Sequence, residues 1–182
     1  MCASLICYIT EMKHIIFLIL SIISTFECTA QSAHNRYSSR LTPDGMCYFF
    51  RQIELKKLEG ISKFEYDMTF LDWTDSVTVN FTIHSSVPNS PKVTHIKSSN
   101  NTFTCENTER YFVDITKKGY IIRSSAKFHK NEIDKIVFCT SAPAFYFKLG
   151  ATDASATYTE SAWKKDSKKL QNILNLIYST KQ

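Results

Sequence analysis

From Cys47 to about Leu149, apolar and polar residues tend to alternate along the chain. The clearest stretch is SVTVNFTIH, residues 76–84. Val77, Val79, Phe81 and Ile83 fall on one side, and Thr78, Asn80, Thr82 and His84 on the other. Successive side chains of a strand project to opposite faces, so this pattern describes a strand with one buried face. Just before it, KFEYDMTF sets Phe64, Tyr66, Met68 and Phe70 against Glu65, Asp67 and Thr69. The short link LDWTDS is rich in turn formers, which predicts an antiparallel hairpin.

The same logic extends along the chain. CYFFRQIELKKL reads as one long strand carrying Phe49, Ile53 and Leu55 on one face. YFVDI and YIIRS flank TKKG, where Gly119 supplies the positive φ of a hairpin turn. KIVFCT and FYFKL read as strands on either side of SAPA, with Pro143 interrupting the ladder between them. KVTHIK and NTFTCE are weaker candidates. The fold class expected is mainly β: an antiparallel β-sandwich or partly closed barrel of about eight strands.

The period changes after GATDASATYT, which reads as a linker of small polar residues. From there Trp163, Leu170, Ile173, Leu174, Ile177 and Tyr178 share one helical stripe, and Lys164, Lys165, Lys168 and Lys169 lie opposite. An amphipathic helix over 158–179 should therefore dock on the β core. Thr157 and Glu160 have the spacing of a capping box at its start.

The N-terminal pattern differs again. Ile15–Ile23 is apolar except for Ser21, follows Lys13 and His14, and leads to small residues ending at Ala30. A membrane-spanning helix needs about 20 apolar residues, roughly twice what is present. The stretch reads as a signal peptide over 1–30, with translation starting at Met12 and cleavage after Ala30. A flexible lead-in over 31–45 and a single domain over 46–182 would follow. The expected setting is secreted or periplasmic, with no membrane span after cleavage.

Charge changes the picture little. The 182 residues carry 22 Lys and Arg against 17 Asp and Glu. Without Lys13, Glu11 and Glu27 the balance is 21 against 15, a net +6. The lysines are dispersed, which favours solubility and an acidic partner but not nucleic acid. Three cysteines would survive processing, Cys47, Cys105 and Cys139, and in an oxidising compartment two of them could form a disulfide.

No motif specifies a chemistry. His34, His84, His95 and His129 have no metal-ligand spacing, glycines number only four, and GxSxG is absent, so no metal or cofactor is expected. Trp73 with Asp72 in the DWTD turn, and His84 on a polar strand face, are the candidate contact residues for a ligand or partner. The leading expectation is a non-catalytic binding or protein-interaction module. The alternatives are a carrier of an apolar small molecule in a barrel cavity and a hydrolase using one of the cysteines with a histidine.

Overall fold

The computed structural model describes residues 36–179 apart from Val93 and Glu106. The expected leader, its start at Met12 and the first part of the lead-in lie outside these residues. Tyr37 onward forms one compact unit. Its strands are β1 (Tyr37–Thr42), β2 (Gly45–Phe50), β3 (Ile53–Leu55), β4 (Lys57–Glu59), β5 (Lys63–Leu71), β6 (Ser76–Ser85), β7 (Thr94–Ser98), β8 (Asn101–Cys105), β9 (Thr108–Thr116) and β10 (Gly119–His129). Helix α1 (Lys130–Val137) precedes β11 (Ala144–Leu149) and β12 (Thr152–Thr157), and α2 (Glu160–Ser179) ends the domain.

The strands form two antiparallel sheets that do not close into a barrel. The larger runs β1-β2-β5-β6-β10-β9, with β3 also pairing to β5, and the smaller runs β4-β12-β11-β7-β8. The chain leaves the larger sheet between β3 and β4, returns at β5, crosses again after β6, returns at β9, and crosses a final time after β10.

Alternation dictates which faces meet. The apolar residues of β5 and β6 face inward, with Phe64, Phe70, Val77, Phe81 and Ile83 all at 0% exposure. Phe145 and Phe147 of the opposite sheet meet them. Phe64 lies 5.2 Å from Phe145 and 5.1 Å from Phe147, and Phe81 lies 5.3 Å from Phe147. These tilted ring pairs hold the two layers face to face.

Helix α2 covers the core as its stripe predicts: Trp163, Leu170, Ile173, Leu174 and Ile177 are buried. Its start is capped two residues further along. Thr159, not Thr157, accepts the Ala162 N–H at 3.3 Å through its hydroxyl, because Thr157 is still paired in β12 to Lys57 and Ala144.

Four other expectations are corrected. The stretch CYFFRQIELKKL is not one strand: Arg51–Gln52 and Lys56 break it into β2, β3 and β4. Phe50 and Leu55 both face inward, at 5% and 3% exposure, while Phe49 is 40% exposed. Residues five apart share a face only if the alternation slips between them, and the slip at Arg51–Gln52 turns Phe49 outward. KIVFCT is not a strand either. Ile133, Ile136 and Val137 are the buried side of α1, and the Glu132 carboxylate accepts the His129 N–H at 2.8 Å at its start. The linker 150–159 contains β12, a central strand of the smaller sheet. Ala154 and Ala156 fit there because Phe147 and Phe145 stand directly opposite. Within the stretch expected to be a lead-in, residues 37–42 form β1, paired to β2.

Candidate functional site

Asp72 and Trp73 occupy the β5–β6 turn. The Asp72 N–H donates to Met46 O at 3.1 Å, which seats the turn on the β1–β2 hairpin. Gly45 there has φ +141°, and a Cβ on it would come within 2.2 Å of Asp72 Oδ1 and 2.8 Å of Trp73 Cε3. Trp73 therefore packs one side on bare backbone and leaves 41% of its surface exposed. His84 lies at the other end of β6, between Lys63 and Ile121. At about 3.3 Å per residue, the strand separates it from the Trp73 turn by roughly 27 Å. The three expected contact residues do not form one site.

The three described cysteines are free thiols. Cys47 sits in the larger sheet opposite Leu71, and Cys105 in the smaller opposite Thr94. The Cys139 thiol adjoins Ser98 at the far end of β7 from Thr94. The length of β7, about 13 Å at strand rise, thus divides Cys105 from Cys139, whereas bridged Cα atoms stand no more than about 7 Å apart. Among the described residues no histidine is placed beside Cys139. His95 Nδ1 meets Thr104 Oγ1 at 2.9 Å on the β7–β8 ladder, and His129 stands at the opposite end of α1.

The space among Tyr66, Val79, Ile136, Phe145 and Trp163 is about 20 Å³, enough for about one water and far short of the roughly 300 Å³ at which ligand cavities begin. The apolar-carrier reading lacks its cavity there. Among the described residues no cluster of His, Cys, Asp and Glu could hold a metal ion, and no described helix is long and apolar enough to cross a membrane.

A large concavity lies at one margin of the sandwich. It has a volume of about 860 Å³ and is open to solvent. One wall is the β6–β7 loop, where Pro88 and Pro91 each fix φ and remove a backbone donor. Two contacts pin that loop. The Thr108 hydroxyl donates to Pro91 O, and Asn89 rests on Gly150, where an added Cβ would stand 3.2 Å from its amide carbon. The other wall is the start of β9 with the adjoining part of β10.

Its charge is one-sided. Among the described residues, Lys92, Arg110 and Lys127 line it against one carboxylate, Glu109. Asn107 and Ser125 add hydrogen-bonding groups, and Ser125 is only 3% exposed. Ser90 Oγ is sealed from solvent at this wall without a hydrogen-bond partner, an unusual condition for a buried hydroxyl.

None of these residues stood out in the sequence. They come from three separate segments that only the crossing from β6 to β7 and the β9–β10 pairing bring together. The one local signal was the pair of prolines in SSVPNSPK. A comparison with protein-family models, with curated proteins and with solved structures finds no match for this chain.

Proposed function

We propose that the domain is an exported, non-catalytic binding module that holds an acidic, hydroxyl-rich ligand, an anionic oligosaccharide, in the cleft between the β6–β7 loop and β9–β10. The observation that carries this reading is the lining itself: among its described residues, three cations stand against one carboxylate, interleaved with amides and hydroxyls. Recognition concentrates on loops carried by a rigid scaffold. The volume lies within the range of roughly 300–1,000 Å³ common for ligand clefts. Cations spaced among neutral donors and acceptors suit a ligand that alternates charge with hydroxyl groups.

The test is titration calorimetry with a sulfated oligosaccharide, beside its desulfated form, at low and physiological salt. Binding should require the sulfates and weaken as salt rises. Arg110→Glu combined with Lys127→Glu should reduce affinity at least about tenfold, the effect of losing 1.4 kcal/mol. Equal binding of the desulfated form, or full affinity in the double variant, would overturn the reading.

A further inference from the structure

β9 is bulged where it borders the basic cleft. Arg110 lies opposite Ser124 of β10 and Phe112 opposite Arg123, so Tyr111 is one residue more than the ladder holds. Bulges re-aim side chains, often beside functional sites. Here the hydroxyl of Tyr111 reaches Asn80 Oδ1, 3.5 Å away. Asn80 belongs to β6, and β10 stands between β6 and β9. Neighbouring strands are about 4.8 Å apart, so the Tyr111 side chain lies down across β10 instead of standing up from its own strand. It lies on the outward face, because Val79 and Phe81 on either side of Asn80 point into the core.

The bed beneath the ring is fixed. Asn80 donates its amide N–H groups to Asp67 Oδ1 at 2.8 Å and Thr69 Oγ1 at 3.3 Å, which leaves its carbonyl oxygen facing Tyr111. Arg123 donates to Asp67 Oδ2 at 2.5 Å and to Thr82 Oγ1 at 2.9 Å. Asn80 and Ser125 stand opposite each other at this crossing, and both are buried although they point away from the core. Tyr111 keeps 50% of its surface exposed. The ring thus has one side against the sheet and the other turned to solvent. It adjoins the cleft directly, since Arg110 precedes it in the chain and Ser125 belongs to the cleft lining.

We propose, on the basis of the cleft reading given above, that Tyr111 is a stacking residue for the same oligosaccharide and receives the C–H face of an uncharged pyranose unit. The binding track would then run from the cations of the cleft onto the outer side of β9–β10, with a neutral subsite beside the charged one. An aromatic ring carries partial negative charge on its face. The C–H bonds on one side of a pyranose present a weakly positive, apolar surface, so the two faces attract while the sugar hydroxyls project outward to water. Arg110 and Lys127 keep the sulfates of neighbouring units. The ring is held in place before the ligand arrives, so little ordering is required on binding.

The experiment nitrates the tyrosines of the native full chain with tetranitromethane, alone and with the sulfated oligosaccharide, and maps them by peptide mass analysis. Tyr111 should react in the free chain and about tenfold more slowly with the ligand at about ten times its Kd. Tyr146, on the smaller sheet and 36% exposed, is the control and should react equally in both. In calorimetry, Tyr111→Ala should lose about tenfold in affinity with the salt dependence of the native chain, because no charge is removed. Tyr111→Phe keeps the ring and should bind as the native chain does. If Tyr111→Ala fails to fold, protection of the native chain decides. Binding that needs Arg110 and Lys127 yet leaves Tyr111 unprotected, or native affinity in folded Tyr111→Ala, would overturn this inference and spare the reading of the cleft. No binding by the native chain would overturn both. Equal protection of Tyr111 by an oligonucleotide of matched charge would assign the ring to a base and overturn the pyranose subsite.

Discussion

The hydroxyls of Tyr66 and Tyr158 stand 2.6 Å apart in the interior. They join the middle of β5 to the residue that leads from β12 into α2. Tyr66 also packs 4.9 Å from Phe145, and Tyr158 packs 5.0 Å from Trp163. One hydrogen bond therefore sits where both sheets and the covering helix converge. Tyr66→Phe should cost about 1–2 kcal/mol of stability, the value of losing a buried hydrogen bond. Replacing both tyrosines by Phe should cost less than the two single changes added together, with a coupling of about 0.5–1.5 kcal/mol. Urea denaturation of the four proteins measures this, and strictly additive losses would deny the coupling.

Alkaline pH should loosen the same region. Burial raises the Tyr66 pKa above its ordinary value of 10.0. Tyr178 is raised too, first by burial and then by the Asp134 carboxylate that accepts its hydroxyl at 2.6 Å. A group whose folded pKa is raised holds its proton more tightly in the native state. Its contribution is fully present below the unfolded pKa and is lost as pH climbs through the folded one. Stability should therefore be flat through neutral pH and fall above roughly pH 10. Denaturation midpoints against pH, followed beside the phenolate absorbance, check this. A decline that began near neutrality would contradict it.

Gly45 should resist substitution. Its φ of +141° and the 2.2 Å approach of Asp72 Oδ1 leave no place for a Cβ. Gly45→Ala should cost about 1–3 kcal/mol through backbone strain and push the DWTD turn away from the hairpin. Trp73 is the more exposed of the two tryptophans, so acrylamide should quench its emission more strongly in the variant. Unchanged quenching and stability would show that the turn does not lean on Gly45.

The legible part of this fold was the part with uninterrupted periodicity. β5, β6 and α2 each keep one period along their length, so burial is legible at most of their positions; Asn80 and Ser167, buried against the pattern, and Tyr178, only partly buried, are the exceptions. The pattern misplaces Phe49 because two residues outside the ladder reverse the alternation, and nothing in the composition of Arg51–Gln52 announces that. KIVFCT reads as a strand because Ile136, Val137 and Phe138 form a short apolar run, which fits either structure. β12 was taken for a linker because its buried residues, Ala154, Ser155 and Ala156, are small. Their size suits a place opposite large phenylalanines and says nothing of surface exposure. Trp73 and His84 were reasonable contact residues singly, but only the strand between them shows that they cannot act together. The basic cleft was invisible because its cations lie on segments joined by topology alone.

The five passages between sheets have a consequence for how the domain comes apart. Each layer is assembled from portions of chain that alternate with portions of the other, so cutting the polypeptide at a loop between β4 and β10 deprives both layers of strands at once. Neither product retains a complete hydrophobic face to protect. The molecule should consequently melt as one cooperative unit, and a binding margin built on it inherits the rigidity of the whole assembly.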